Sequence, residues 1–196
     1  MKKKIIAIEG ESASGKDSIA KYITKNFGIK PIVSFATRPM RDGEVNGREH
    51  WFITPEEMER IKSEEHMLAY TKIEDKTKVS VDGYEYCTTI ESLEGDTAIY
   101  VIDPNGIEYM KSNKEIMDKI DLLVLYVYVP YEVRKERAKQ NRSDFEKFEI
   151  RTAQESAQFE KMRNNKAYDY LIENIDYDQA CLSAGIAVSS FLKKDD

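Results

Sequence analysis

Short runs of apolar, largely β-branched residues recur along the chain, and segments with helical periodicity separate them. The runs are Ile5–Ile8, Ile32–Phe35, Ala98–Ile102, Leu122–Val129 and Tyr170–Ile172. Strands that alternate with helices in this way are typical of a parallel sheet with helices packed on its faces. The pattern therefore predicts an α/β fold.

The segment after the first apolar run has one apolar face. Ile19, Ala20, Tyr22, Ile23 and Phe27 recur at helical spacing, which predicts an amphipathic helix that lies on the sheet. We interpret this face as core, and we expect any chemistry to lie in the loop before it.

Length, charge and cysteine content narrow the possible functions. A chain of 196 residues suits one α/β domain with inserted segments. A net charge of −6 disfavours an extended nucleic-acid-binding surface but allows a local basic pocket for a small phosphorylated ligand. Cys87 and Cys181 lie far apart without a CxxC pattern, so we expect neither a disulfide framework nor a zinc site.

The same features predict a cytoplasmic protein. The basic start Met1–Lys4 precedes an apolar run that ends at Glu9, which is too short for the core of a signal peptide. No other stretch is long enough to span a membrane. We therefore expect neither a membrane nor a nucleic acid as partner, and the sequence does not predict an oligomeric state.

The loop after the first apolar run fits the phosphate-binding pattern GxxxxGK. Its candidate donor-binding residues are Gly10, Ser12, Ala13, Ser14, Gly15 and Lys16. Glycines let backbone N–H groups converge on phosphate oxygens, while the following helix N-terminus and the lysine add positive charge. The alternative is a structural Gly- and Ser-rich turn. Because a strand precedes this loop and a helix follows it, we favour ATP binding.

Asp17 stands where the pattern has Ser or Thr, whose hydroxyl binds Mg²⁺. Two interpretations stay open for Asp17. It either binds the metal itself, or it complements the helix dipole while Ser18 supplies the hydroxyl.

A second pattern follows the second apolar run. Two arginines three residues apart, Arg38 and Arg41, precede a Gly-rich turn that ends at Gly47. Paired guanidinium groups suit a phosphate monoester, because each can donate two parallel hydrogen bonds to its oxygens. Arginines on a solvated loop would be the ordinary alternative for an isolated pair.

Together, the loop and the segment Thr37–Gly47 closely resemble the guanylate kinase family, whose members carry TRxxRxGExxG at this distance from the loop. The resemblance covers most of the chain. It implies a P-loop NTPase-type parallel sheet flanked by helices, with an inserted monophosphate-binding region and a helical lid. The single domain would divide into a core (1–36, 89–137 and 153–196), an acceptor-binding region (37–88) and a lid (138–152).

The resemblance also implies roles for individual residues. Tyr86 and Thr88, in Gly83–Thr88, would meet the acceptor's phosphate and base, while Ser34 and His50 would border the same site. His50 replaces the family's usual tyrosine.

The resemblance also assigns residues on the donor side. Asp103, in Ile102–Gly106, would face Mg²⁺ and the phosphates, and Asn174 would lie at the adenine side. Arg137, Arg142 and Arg151 match the catalytic lid arginines.

Some of these matches have structural alternatives. The lid arginines could instead be solvated partners of Glu136, Glu146 or Glu155 at helical spacing. Asp103 and Asn174 could be ordinary turn residues after strands.

The base pocket departs from the family pattern. Ala69 stands where the family has a glutamate that accepts hydrogen bonds from guanine, and Val101 replaces a second acid. Glu74 or Asp75, in a longer segment that reaches Asp82, could compensate. The predicted reaction is ATP- and Mg²⁺-dependent phosphorylation of GMP or dGMP. The alternatives are a kinase with another base preference and a non-catalytic module that binds phosphopeptides.

Overall fold

The computed structural model describes residues 2–41, 43–64, 66–73, 83–141 and 145–193. In chain order its elements are β1 (Lys3–Glu9), α1 (Lys16–Phe27), β2 (Lys30–Pro31), β3 (Ser34–Ala36), β4 (His50–Phe52), α2 (Pro55–Glu64), β5 (Met67–Ile73), β6 (Tyr84–Thr89), β7 (Thr97–Val101), α3 (Pro104–Ser112), α4 (Lys114–Met117), β8 (Ile120–Tyr128), α5 (Tyr131–Asn141), α6 (Glu146–Asn165), β9 (Tyr170–Glu173) and α7 (Tyr177–Leu192). Within the described ranges no helix combines the length and the apolar character that a bilayer span needs.

The main sheet is parallel throughout, in the order β2-β7-β1-β8-β9. This confirms the predicted α/β class. The central strand β1 alternates its side chains between two apolar layers. Ile6 and Ile8 pack with α1 and α7, while Ile5 and Ala7 pack with α3 and with Leu68 of β5. Ligands in such sheets bind beyond the carboxyl ends of the strands where the chain changes direction across the sheet, which here is at β1.

The predicted apolar face of the first helix is confirmed. Ile19, Ala20 and Ile23 of α1 are buried, and Tyr22 and Phe27 pack against the same layer. The helix begins directly after the phosphate-binding loop, so its packing fixes the position of that loop relative to the sheet. Both cysteines are buried free thiols.

A second, four-stranded sheet has the order β4-β3-β6-β5. The prediction that Ile32–Phe35 forms a strand of the parallel sheet is wrong. The stretch is divided between the two sheets. Ile32 still donates its amide to Ile99 of β7 (2.8 Å), whereas Ser34–Ala36 pair with β4 and β6. An apolar run indicates that a strand is buried, but it does not indicate which sheet the strand joins.

Candidate functional site

The loop between β1 and α1 has the tight backbone that the glycine pattern predicts. Gly15 (φ 83°) and Ala13 (φ 64°) both adopt left-handed backbone conformations. The amide of Ser14 donates to the carbonyl of Glu11 (3.0 Å), and the amide of Ser18 donates to Gly15 (3.0 Å). The loop is therefore held as a curled segment at the N-terminus of α1, where the positive end of the helix dipole lies.

Two glycines in this loop leave no room for a side chain. A Cβ on Gly10 would stand 2.7 Å from the carbonyl oxygen of Val127. On Gly15 it would overlap the side-chain amide of Asn174. That amide donates to the carbonyl of Ser14 (2.7 Å), and Asn174 is buried. Asn174, the residue directly after β9, therefore lies against the phosphate loop and supports its backbone.

Lys16 and Asp17 lie at the first turn of α1. Their charged groups are 3.8 Å apart, and their side chains are 23% and 69% exposed, respectively. Ser18 is also exposed. Asp17 and Ser18 are therefore both accessible to a ligand that binds at the loop, and the two interpretations of Asp17 remain open.

A buried charged network supports the loop from below. Glu11 accepts hydrogen bonds from Arg134 (3.3 Å), Arg163 (3.2 Å) and the Tyr126 hydroxyl (3.0 Å). Arg134 also donates to the carbonyl of Ser12 (3.2 Å). Because Arg134 belongs to α5 and Arg163 to α6, both helices are fastened to the residues that would contact the donor phosphates.

Arg38 is the buried member of the predicted arginine pair. It is 6% exposed, donates to both carboxylate oxygens of Glu44 at 2.6 Å, and stacks over the Phe52 ring. Burial alone would raise the pKa of Glu44, but the hydrogen bonds from Arg38 and from the Arg41 backbone lower it to about 2. The buried Nε of Arg38 has no hydrogen-bond partner among the described residues, so one donor remains for a ligand.

Arg41 lies beside two other guanidinium groups. Its pKa is lowered first by burial of the guanidinium and then by the positive charges of Arg38 and Arg151. Tyr86 lies near the same groups and interacts electrostatically with both Arg38 and Arg41. The fold thus brings two arginines from the acceptor-binding segment, one from α6 and a tyrosine from β6 into one electropositive cluster. Like charges gathered in this way favour a bound anion.

The other predicted acceptor residues surround this cluster. The Ser34 hydroxyl lies 2.8 Å from Nδ1 of His50, whose ring packs edge-on against Tyr86 (5.6 Å between centroids). Burial, followed by the charge of Arg38, lowers the pKa of His50 to about 4. Thr88 is buried, and its hydroxyl donates to that of Tyr100 (2.8 Å).

Asp103 begins α3 as its N-cap. One of its carboxylate oxygens accepts from the amides of Asn105 (2.9 Å) and Gly106 (3.2 Å) and from the Thr71 hydroxyl (3.1 Å). Burial raises the pKa of Asp103 despite these bonds. The carboxylate therefore caps α3, and its hydrogen bond with Thr71 links this end of the main sheet to the four-stranded sheet.

Glu9 is a second buried acid near Asp103 that the motif analysis missed. It is 0% exposed, and neither carboxylate oxygen has a hydrogen-bond partner among the described residues. Burial raises the pKa of Glu9 to about 8, Lys111 opposes this, and Asp103 adds to it. A charged residue that directly ends a buried apolar run is the sequence signal that could have revealed it.

The predicted base pocket lacks the acidic side chains of the family pattern at two positions, as the sequence indicates. Ala69 is buried in β5, and Val101 pairs with Ile8 of β1. Neither side chain can accept a hydrogen bond. Glu74 and Asp75 lie outside the described residues, so their proposed compensation stays a prediction.

The predicted lid arginines have different surroundings. Arg137 donates to the backbone carbonyls of Asn174 (2.7 Å) and Ile175 (3.2 Å), which places it beside the phosphate loop. Arg151 joins the acceptor cluster. Arg142 lies outside the described residues.

Two of the acidic residues that could pair with the lid arginines make other contacts, and the side chain of the third, Glu146, lies outside the described part of the chain. Glu136 pairs with Lys139 (2.7 Å). Glu155 accepts a hydrogen bond from the Ser12 amide (2.7 Å) in the phosphate loop. The sequence predicts Glu155 only as a solvated partner of a lid arginine, because helical spacing does not show which element a helix face contacts.

The side chains beside the phosphate loop suit a magnesium ion that is held largely by nucleotide phosphates. Over the described ranges there is no group of three or more His, Cys, Asp or Glu residues that could hold a metal. Mg²⁺ usually binds one or two carboxylates together with substrate phosphates and water. The exposed Asp17 carboxylate and Ser18, beside the phosphate loop, fit that requirement.

Comparison with known proteins gives one consistent result. The guanylate kinase family model matches residues 2–190. A guanylate kinase of Rickettsia felis is 30% identical over 179 residues, which span 89% of this chain and 87% of that protein. One of Mesorhizobium japonicum is 25% identical over 198 residues, covering 97% and 85% of the two chains. The crystal structure of guanylate kinase from Anaplasma phagocytophilum superimposes with a TM-score of 0.65 at 20% identity, covering 98% of this chain and 89% of that one.

Proposed function

The chain belongs to the guanylate kinase family of nucleoside monophosphate kinases, and from that premise we propose that it uses MgATP to phosphorylate GMP or dGMP. The observation that best supports this is the convergence of Arg38, Arg41 and Arg151 beside Tyr86. These groups come from three separate stretches of chain, and together they match the charge of a phosphate monoester. The phosphate loop completes a site for two nucleotides.

The donor half of the site binds the ATP phosphates. Lys16 and the loop amides hold phosphate oxygens. Asn174, just after β9, supports the loop, and Arg137 of α5 holds the backbone of Asn174. When bound with ATP beside Asp17, Ser18 and Asp103, Mg²⁺ supplies positive charge to the donor phosphates. Lys16 acts as a compact point charge at the same place.

The acceptor half holds the monophosphate. Arg38 is fixed by Glu44 and presents its buried Nε, while Tyr86 and the Ser34–His50 pair border the phosphate. Arg41 and Arg151 add positive charge at the same place, since burial and then the charges of Arg38 and Arg151 lower the pKa of Arg41. Phosphoryl transfer needs alignment and charge neutralisation more than covalent chemistry, so these residues perform catalysis by positioning and electrostatics.

A second candidate function is a kinase of the same chemistry with another base preference. Ala69 and Val101 remove both acids that the family resemblance leads us to expect at guanine. The loss of a buried paired hydrogen bond costs about 1–3 kcal/mol, enough to change base selectivity roughly tenfold to a hundredfold. Among the described residues, Thr71, Thr88 and Asp103 place polar side chains near this end of the sheet.

A coupled ADP-release assay with MgATP and a panel of monophosphates tests these alternatives. We expect turnover with GMP or dGMP. Faster turnover with another monophosphate would establish the second candidate. Absence of turnover with every acceptor, together with phosphopeptide binding, would show that the chain is a non-catalytic binding module. We also propose a cytoplasmic location, which two buried free thiols support.

A further inference from the structure

Helix α6 places an acidic side chain on the donor phosphate loop. A carboxylate oxygen of Glu155 accepts a hydrogen bond from the Ser12 amide at 2.7 Å, and Ser12 is itself buried. Burial raises the pKa of Glu155, while Lys16 and the Ser12 amide lower it. The contact therefore joins an anionic group to the loop whose amides and lysine are arranged to bind anions.

A carboxylate at this point resembles a phosphoryl group in both charge and hydrogen bonding. It accepts from a loop amide and interacts favourably with Lys16, as a donor phosphate oxygen would. A triphosphate that approaches the same amide must replace Glu155 there. It must also overcome repulsion between like charges if the carboxylate stays nearby.

The position of Glu155 on α6 follows from how the whole helix docks. Arg151, one turn earlier, lies near Arg41, and Arg163, two turns later, donates to Glu11 in the phosphate loop. Arg151 therefore lies at the acceptor half of the site, whereas Glu155 and Arg163 lie at the donor half. Glu155 is the acidic one, and it lies over the donor half.

We propose that Glu155 is a donor-site positioning residue, whose carboxylate holds the Ser12 amide in the nucleotide-free enzyme and gives way to the terminal phosphates of ATP. This inference rests on the proposed function of the same site. ATP binding then releases α6 from the loop at Ser12, and the helix returns when the nucleotide leaves. The apparent ATP affinity is reduced by the fraction of molecules in which Glu155 occupies the amide.

Binding of MgATP without an acceptor, measured by calorimetry, tests the proposal. Glu155→Ala removes both the competing acceptor and its charge, so we expect about tenfold tighter MgATP binding. Glu155→Gln keeps a carbonyl acceptor but loses the charge, and we expect a smaller gain. Glu149→Ala is the matched control, because Glu149 is an exposed carboxylate of the same helix that pairs with Lys135. It should bind MgATP as the unmodified chain does.

Hydrogen exchange of the Ser12 amide gives an independent readout. In the nucleotide-free Glu155→Ala variant we expect faster exchange at Ser12, and MgATP should slow it again. Weaker or unchanged MgATP binding in Glu155→Ala, with unchanged exchange at Ser12, would overturn the proposal. If that variant does not fold, Glu155→Gln decides, and no gain in its affinity would overturn the proposal. Failure of the unmodified chain to bind MgATP would instead refute the proposed function.

Discussion

Individual residues of the acceptor cluster differ in how their charge is balanced. Arg38 is buried and paired with Glu44 through two hydrogen bonds of 2.6 Å. For Arg41, partial burial of the guanidinium and then the positive charges of Arg38 and Arg151 lower its pKa. Arg38 therefore mainly fixes geometry, while Arg41 offers positive charge that a phosphate can neutralise.

Replacing Arg41 should affect turnover more than donor binding. Arg41→Ala removes a guanidinium from the acceptor side only, so we expect kcat/KM for the monophosphate to fall roughly 100-fold while the ATP Kd stays within about twofold. Steady-state kinetics and calorimetry measure the two quantities. Arg48→Ala, at an exposed arginine of the same segment paired with Glu49, is the control. Equal losses in turnover and ATP affinity would contradict the assigned role.

Replacing Lys16 should affect the donor side. Lys16→Ala removes the charged donor at the phosphate loop, and we expect MgATP binding to weaken roughly 10- to 100-fold. Lys21→Ala, on the exposed side of α1, should leave the affinity unchanged. Calorimetric titration with MgATP measures both. An unaltered affinity in Lys16→Ala would exclude Lys16 from the donor site.

At the scale of elements, the phosphate loop is braced by segments that follow it far along the sequence. Asn174, directly after β9, donates to the loop, and Arg137 of α5 holds the backbone of Asn174. Helix α5 also supplies Arg134, and α6 supplies Arg163. Strand β8 contributes Tyr126 to the same network. A loop whose own backbone is this tightly curled needs such support, because left-handed residues such as Ala13 cost free energy.

Breaking the buried network should destabilise the fold. Arg134→Met leaves the Glu11 carboxylate buried with fewer donors, so we expect a loss of about 3–5 kcal/mol in the free energy of unfolding. Urea denaturation measures the change. The neighbouring Lys135 is more exposed, and Lys135→Met should cost less than about 1 kcal/mol. A cost for Arg134→Met as small as that of the control would show that Arg134 does not anchor α5 to the loop.

At the scale of the whole molecule, the proposed function needs residues from both sheets. The parallel sheet carries the phosphate loop, and the smaller sheet carries Ser34, His50 and Tyr86. The Thr71–Asp103 hydrogen bond is one direct link between them. Positive groups concentrate at this junction although the chain as a whole is acidic, with a net charge of −6.

The buried imidazole of His50 should make stability depend on pH. His50 has a folded-state pKa of about 4, whereas an unfolded histidine titrates near 6.5, so between these values the unfolded chain binds more protons. Stability from neutral His50 is present above about pH 6.5 and should be lost, by about 1–3 kcal/mol, as the pH falls towards 4. Urea unfolding between pH 7.5 and 4.5 measures it.

Two histidine variants identify the group responsible. His50→Gln should remove this part of the pH dependence, whereas His66→Gln, at an exposed site beside Glu91, should keep it. Identical pH profiles for His50→Gln and the unmodified chain would show that His50 does not cause the loss.

The sequence by itself determined the α/β class, the phosphate loop, the first helix and the paired arginines. These features depend on local pattern: apolar runs, helical spacing and glycines at fixed separations act over a few residues. Only the tertiary structure decided the strand order, the separation of Ser34–Ala36 from the main sheet, and the meeting of Arg151 with Arg38 and Arg41. It also revealed Glu9 beside Asp103 and Glu155 on the Ser12 amide. Such contacts join distant segments, and their partners depend on how elements pack, which no local pattern records.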